Sequence, residues 1–115
     1  MAKVQATKEI AEQALEAVEL AKATGSIKKG TNEVTKILEK GAAKLVVIAK
    51  DVTPPEITMH IPLLSDEKKV LCIEVGSKEE LGAAAGLELG TAAVAVVNEG
   101  DAKKVIKALT EQFLK

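Results

Sequence analysis

Three short apolar runs set the strongest limit on how this chain folds. They lie at residues 44–49, 70–75 and 91–97, and each is rich in β-branched side chains. The first run is continuous from Leu45 to Ala49, as is typical of a strand covered on both faces, and the other two runs are predicted to be strands as well. Stretches with helical spacing of apolar residues separate them. This alternation predicts an α/β protein, a three-layer α-β-α sandwich around a small mixed sheet.

Five segments carry the signature of helices, and several have recognisable ends. The segments are 7–23, 31–40, 56–64, 77–86 and 100–113. Thr7 is a candidate N-cap for the first and Gly25 a candidate stop, while Ser77 and Glu80 have the spacing of a capping box. Pro62 is expected to limit the third helix, because proline lacks the amide hydrogen that a helix interior needs.

The remaining segments are short connections. Residues 26–29 are either an edge strand or a loop, residues 51–55 form a turn because of two adjacent prolines, and residues 87–90 form a loop. Neither a linker nor an internal repeat interrupts the pattern. At this length we expect one domain that covers residues 1–115.

Composition restricts the kind of partner. All 16 cationic residues are lysine, the only aromatic residue is Phe113, and the formal net charge is −1. Aromatic and guanidinium planes, on which proteins stack unpaired bases, are therefore nearly absent. A nucleic-acid partner would have to be recognised by shape, by phosphate contacts and by a few polar groups on a local patch.

Catalytic and metal chemistry find little support. Cys72 and His60 are the only residues of their types, so a zinc site is not expected, and we predict neither a metal nor a cofactor. A Cys72–His60 dyad is conceivable, but Cys72 lies in an apolar run, where a buried structural thiol is the favoured interpretation. The start of the chain has no signal-peptide pattern and no run is long enough to cross a membrane. We expect a cytoplasmic protein without enzymatic activity.

The most informative stretch is residues 27–36. Gly30 and Thr31 lie where a helix is predicted to begin, so unpaired amides and the positive end of the helix dipole form a ready phosphate site. Lys28 and Lys29 come just before it. Residues 28–44 contain five lysines and two glutamates, a local balance of +3.

Helical spacing places polar groups of this stretch on one exposed stripe. Asn32, Glu33, Lys36 and Lys40 share it. Amide and ammonium donors suit the O6 and N7 atoms of guanine, whereas a carboxylate can accept from an exocyclic amine or hold the lysine. The alternative is structural: Thr31 caps the helix, Glu33 favours its dipole, and the lysines are merely solvated.

At this point the chain resembles the L-seven-Ae family of ribosomal and small-ribonucleoprotein proteins, which bind RNA kink-turns. The matching blocks are residues 27–36, 43–52, 60–64 and 98–101, and the archaeal branch is the most similar. The resemblance implies a compact α-β-α sandwich. It also implies a ligand: an RNA duplex bent sharply at a three-nucleotide bulge beside tandem sheared G·A pairs.

The resemblance also implies roles for particular residues. Those that would approach the G·A pairs are Gly30, Thr31, Asn32, Glu33 and Lys36. Those near phosphates would be Lys28, Lys29 and Lys40. The tripeptide Leu87, Glu88 and Leu89 would cover the flipped-out bulge nucleotide.

This loop departs from the family pattern at positions 89 and 90. Leu89 stands where relatives sometimes carry arginine, and Gly90 stands where they often carry proline, so we expect a more flexible loop and a lost guanidinium contact. The alternative is an ordinary helix-to-strand connection in which the leucines are buried and Glu88 is solvated.

Partners and biological context follow from the resemblance alone. It implies structured RNA in the large ribosomal subunit, in guide-RNA particles that modify RNA, or in the tRNA-processing ribonuclease. Ribosomal and guide-RNA particle proteins would be its protein partners, and the free chain would be a monomer. The competing hypothesis is a protein-interaction scaffold on the same fold, with Glu9, Glu12, Glu16 and Glu19 of the first helix as its docking face.

Overall fold

A five-stranded sheet lies at the centre of the protein, whose computed structural model describes residues 4–5, 7–51 and 56–113. The elements in chain order are β1 Val4–Gln5, α1 Lys8–Thr24, β2 Ser26–Lys29, α2 Thr31–Glu39, β3 Leu45–Ala49, α3 Glu56–Glu67, β4 Cys72–Val75, α4 Lys78–Ala84, β5 Ala93–Asn98 and α5 Lys103–Phe113. A single 3-10 turn, Gly100–Ala102, leads into α5. No helix within these ranges is long and apolar enough to span a membrane.

The sheet is mixed, as the sequence predicts. Its strand order is β1-β4-β3-β5-β2. Strands β1, β4 and β3 run parallel, whereas β5 is antiparallel to both of its neighbours, β3 and β2. The segment 26–29, which the sequence left open between strand and loop, is therefore the edge strand β2.

Helices cover both faces of the sheet and divide the core in two. One apolar cluster joins α1, α4 and α5 to the sheet and includes Val47. The other joins α2 and α3 to the opposite face and includes Val46. Because adjacent strand residues point to opposite faces, all five residues of β3 are buried. The predicted three-layer sandwich is confirmed.

Two predicted caps are confirmed and one predicted interruption is wrong. The hydroxyl oxygen of Thr7 accepts a hydrogen bond from the Ile10 amide at 3.4 Å, and that of Ser77 accepts from the Glu80 amide at 3.3 Å. Helix α3 continues through Pro62 to Glu67. A proline inside a helix removes one backbone hydrogen bond. Pro62 is buried, and α3 continues beyond it although that hydrogen bond is missing. Most of the turn predicted at 51–55 lies outside the described residues.

The block 98–101 joins the end of β5 to the end of α1. The Asp101 amide donates to the Thr24 hydroxyl at 2.7 Å, and that hydroxyl donates to the Leu20 carbonyl at 2.7 Å. The Gly100 amide donates to the Asn98 side chain at 3.1 Å. These contacts indicate a structural role for residues 98–101, at the end of the sheet opposite to the start of α2.

Candidate functional site

The two segments singled out by the sequence lie at the same end of the sheet. Lys29, the last residue of β2, pairs with Val94 near the start of β5. The Gly30 amide then donates to the Ala93 carbonyl at 2.9 Å. Antiparallel pairing of β2 and β5 thus brings the beginning of α2 next to the loop before β5. We call residues 28–40 the α2 arm and residues 87–90 the loop arm.

A glycine makes the turn from β2 into α2. Gly30 has a φ of +96°, a backbone conformation that side chains with a Cβ rarely adopt. It is the N-cap residue of α2 and provides no side-chain hydrogen bond to the first turn. The first-turn amides therefore lie at a helix N-terminus that no capping side chain covers, which is the arrangement that binds phosphate groups.

The alternative in which Thr31 caps α2 is wrong. Thr31 is the first helical residue, and its carbonyl accepts a hydrogen bond from the Thr35 hydroxyl at 2.8 Å. Because Gly30 occupies the cap position, the Thr31 side chain cannot satisfy the amides in the way that an N-cap hydroxyl does.

The predicted polar stripe exists on α2. Val34, Ile37 and Leu38 are buried and turn the opposite side of the helix outward. The exposed residues of α2 and its C-cap are Asn32, Glu33, Lys36, Glu39 and Lys40, which include all four residues of the predicted stripe. Lys28 and Lys29 of β2 are exposed as well. The start of α2 thus carries an amide and a carboxylate beside two ammonium groups, whereas Lys36 lies in the last turn and Lys40 at the C-cap.

An ion pair links two members of the stripe. The Nζ of Lys36 lies 3.8 Å from Oε1 of Glu33, and the two side chains are 66% and 49% exposed. A surface pair of this kind adds little to folding stability. Both groups remain accessible to a ligand, and each limits the directions in which the other points. A base edge that offers both donors and acceptors would meet complementary groups here.

The two leucines of the loop arm differ in exposure. Leu87 is half-buried and packs against the core cluster of α1, α4 and α5. Glu88 is exposed, and Leu89 is 80% exposed. The interpretation of both leucines as buried is therefore wrong for Leu89. Such an exposed apolar side chain is suited to contact with an unstacked base.

Residues of α4 hold the loop arm in place. The Leu87 amide donates to the Gly82 carbonyl at 2.8 Å, and the Thr91 amide donates to the Lys78 carbonyl at 3.0 Å. Gly82 faces the Leu89 carbonyl so closely that a Cβ would collide with it. A Cβ on Gly90 would come within 2.9 Å of Lys78 Cγ. The glycine that departs from the family pattern thus packs closely on α4, while the flexibility of the loop stays a prediction.

Three residues that support the loop arm were not predicted to do so from the sequence: Asp51, Lys78 and Gly82. The Lys78 amide donates to Oδ1 of Asp51 at 2.7 Å, across 27 residues of sequence. A glycine inside a predicted helix, at position 82, was the available signal, since glycine there costs stability unless a close approach requires it. The contact of Asp51 left no local signal.

The histidine and the cysteine do not assemble a catalytic dyad of the kind considered. His60 is exposed, and its Nε2 lies 2.9 Å from the Thr35 hydroxyl. Cys72 is 1% exposed within the core cluster of α2 and α3. A thiol enclosed by apolar side chains is poorly placed to become a nucleophile. Among the described residues, no group of His, Cys, Asp and Glu could hold a metal ion.

The acidic face of α1 lies away from the α2 arm. The four glutamates named in the scaffold hypothesis are all exposed. Helix α1 packs on the face of the sheet opposite to α2. A second surface lies beside the α2 arm, where an open groove between α2 and α3 is lined by Thr35, Glu39, His60, Leu63, Leu64 and Glu67. Leu63 is 67% exposed at this groove.

Comparisons with known proteins agree with this geometry. The model of the Ribosomal protein L7Ae/L30e/S12e/Gadd45 family matches residues 12–106. The structure is similar to that of a Giardia lamblia 15.5kD RNA binding protein, with a TM-score of 0.87 and 31% sequence identity. That similarity covers 93% of this chain and 89% of the other. Both the α2 arm and the loop arm lie within the range matched by the family model.

Proposed function

Because the chain belongs to the Ribosomal protein L7Ae/L30e/S12e/Gadd45 family, we propose that it is a non-enzymatic RNA-binding protein whose ligand is the kink-turn. Membership of this family agrees with the resemblance noted in the sequence, and the RNA-binding neighbour supports a structured RNA as partner. The archaeal branch stays a prediction. The observation that best supports kink-turn recognition is the hydrogen bond between Gly30 and Ala93, because it joins the start of the polar α2 arm to the start of β5, shortly after the loop arm.

The α2 arm reads the sheared G·A pairs in this proposal. The Asn32 amide and the Lys36 ammonium donate to guanine O6 and N7, and the Glu33 carboxylate accepts from an exocyclic amine. Gly30 and Thr31 bring the backbone amides of the helix end close to the RNA. Lys28, Lys29 and Lys40 neutralise phosphates, which positions the RNA without reading its sequence.

The loop arm covers the bulge nucleotide. Leu89 provides exposed apolar surface for a base that has left the stack, and Leu87 anchors the tripeptide to the core. Glu88 stands between them and faces solvent. This division suits a chain without arginine and with a single aromatic residue, because the base is covered by aliphatic surface and needs no aromatic stacking.

The protein acts by selecting one RNA conformation. A kink-turn samples bent and extended forms, and a protein that contacts both the G·A pairs and the bulge binds only the bent form. The bent RNA then serves as a platform for other proteins. We propose ribosomal RNA, guide RNAs of modification particles and the RNA of the tRNA-processing ribonuclease as ligands, with the proteins of those particles as partners of a cytoplasmic chain that is monomeric when free.

A titration tests this function. The wild-type chain is titrated with a kink-turn RNA and with the same RNA carrying Watson–Crick pairs in place of the G·A pairs, at low and at moderate salt. We expect tight binding to the first RNA and weak binding to the second. Equal and salt-sensitive binding to both RNAs would identify a nonspecific lysine patch instead.

A protein-docking scaffold is the second candidate. The observation that favours it is the groove between α2 and α3, where Leu63 is exposed between acidic side chains. Exposed apolar surface bordered by polar groups is typical of protein interaction sites. Absence of binding to either RNA in the titration would favour this function over RNA recognition.

A further inference from the structure

Asp51 connects the end of β3 to the start of α4. It is exposed and lies two residues beyond the last residue of β3. Its Oδ1 accepts a hydrogen bond of 2.7 Å from the amide of Lys78, the first residue of α4. The Ser77 hydroxyl accepts from the Glu80 amide in the same turn. Two otherwise unpaired amides of α4 are thus satisfied, one of them by a carboxylate from a different element.

Lys78 passes this connection on to the loop arm. Its carbonyl accepts the Thr91 amide at 3.0 Å, and its side chain lies against Gly90. The other end of the loop is attached to α4 through the Leu87 amide and the Gly82 carbonyl. The loop therefore takes its conformation from α4, and the first residue of α4 is held by Asp51.

Asp51 places a negative charge near the proposed RNA-binding surface. It lies at the same end of the sheet as the start of α2, because the Ala49 amide donates to the Ala92 carbonyl next to the Gly30–Ala93 hydrogen bond, and Lys28 and Lys29 come just before that helix. A carboxylate there repels phosphate groups and by charge alone would weaken RNA binding. Its hydrogen bond with the Lys78 amide indicates a structural role for a carboxylate at this position.

We propose that Asp51 is a positioning residue which, through Lys78, holds the loop arm in the conformation that presents Leu89. The role rests on the proposed function, in which Leu89 covers the bulge nucleotide. Asp51 itself makes no contact with RNA in this proposal. Its effect on affinity arises from the order that it imposes on residues 87–90.

Two substitutions separate positioning from charge. Asp51→Asn removes the charge and retains an oxygen acceptor at Oδ1, whereas Asp51→Ala removes both. Amide hydrogen exchange, measured by NMR without RNA, should rise about tenfold at Thr91 in Asp51→Ala, the scale of a lost cap. The rise at Thr91 should exceed that at Val47 and Val94 in the sheet, whose exchange reports any general loss of stability. Asp51→Asn should exchange at Thr91 like the wild type.

RNA affinity provides the second readout. Asp51→Ala should weaken kink-turn binding several-fold and Asp51→Asn should not. In a Leu89→Ala background, Asp51→Ala should cause little further loss, because the side chain that it positions is absent. Glu79→Ala is the matched control: it removes a carboxylate from the same turn of α4, and the Glu79 side chain makes no hydrogen bond among the described residues.

Specific results would overturn the proposal. Unchanged exchange at Thr91 in Asp51→Ala would show that the loop does not depend on Asp51, whatever the RNA result. Equal gains in affinity from Asp51→Ala and Asp51→Asn would show that the residue acts by charge alone. If Asp51→Ala unfolds, Asp51→Glu keeps the charge, displaces the acceptor, and should show the same losses. Failure of the wild type to bind kink-turn RNA would refute the proposed function, and the exchange measurement would still decide the positioning role.

Discussion

The α2 arm and the loop arm differ in where their shape originates. In the α2 arm, a glycine turn, a helix start and an ion pair three residues apart are all local in sequence. In the loop arm, the position of Leu89 depends on Gly82 and Lys78 of α4 and, through Lys78, on Asp51 after β3. The chemistry of the first arm can thus be recognised in one stretch of sequence. The second arm depends on distant supports that no local pattern reveals.

The largest effect is expected when the space between α4 and the loop arm is filled. Gly82→Val should destabilise the fold by about 3 kcal/mol, because its side chain would collide with the Leu89 carbonyl. Urea unfolding measures the change. Gly76→Val, at a position with open space around it, should lie within about 0.5 kcal/mol of the wild type. Equal stability of the two variants would mean that the loop arm does not rest on α4.

Removal of a polar group from the α2 arm should have the next largest effect. Glu33→Ala and Lys36→Ala should each weaken kink-turn binding by about 1–3 kcal/mol, the usual scale of a polar base contact. The direction of the affinity change in Glu33→Ala is informative. Loss of a carboxylate alone would strengthen nonspecific attraction to phosphates, so weaker binding would indicate a specific contact. Glu39→Ala on the same helix is the control for charge. Unchanged affinity in both Glu33→Ala and Lys36→Ala would refute the assigned RNA-binding surface.

Truncation of the loop arm should have a smaller effect on binding and almost none on stability. Leu89→Ala should reduce kink-turn affinity by about 1 kcal/mol through lost apolar contact. Because Leu89 is 80% exposed in the free protein, the substitution should not change the free energy of unfolding of the protein. Isothermal titration together with urea unfolding tests both statements. Leu63→Ala, also exposed but in the groove between α2 and α3, should bind RNA as the wild type does; a loss equal to that of Leu89→Ala would extend the RNA surface to this groove.

The lysines should show the smallest individual effect, on salt dependence more than on affinity. Lys40→Ala should lower the slope of log K against log salt by about one. Titrations of the kink-turn RNA over a series of salt concentrations measure it. Lys104→Ala removes an exposed lysine from α5, on the other face of the sheet, and should leave the slope unchanged. An equal change in both variants would show that phosphates are contacted all around the protein.

Much of the fold was predictable because its signals are local. Apolar runs predicted the buried strands, and β3 is buried at every residue. The Ser77 hydroxyl caps α4 as its spacing with Glu80 indicates. Pro62 misled the prediction of α3, because a proline costs one hydrogen bond and the helix continues beyond it.

The candidate site was predictable in part. The spacing of Asn32, Glu33 and Lys36 placed them correctly on one exposed stripe. The alternative in which Thr31 caps α2 fails because the β2–α2 turn places Gly30, with its positive φ, at the cap position. The supports of the loop arm escaped prediction because Asp51 and Lys78 are distant in sequence and are brought together by the pairing of β3 with β4.

The antiparallel insertion of β5 between β3 and β2 has a consequence for biosynthesis. Strand β2 pairs only with β5 among the described strands, and Gly30 is anchored to Ala93. During translation the beginning of α2 therefore emerges long before the strand that holds it. Such contacts between distant parts of the chain form late. A nascent chain that ends before residue 93 carries every polar group of the α2 arm, yet it should not bind RNA until β5 has been synthesised and has entered the sheet.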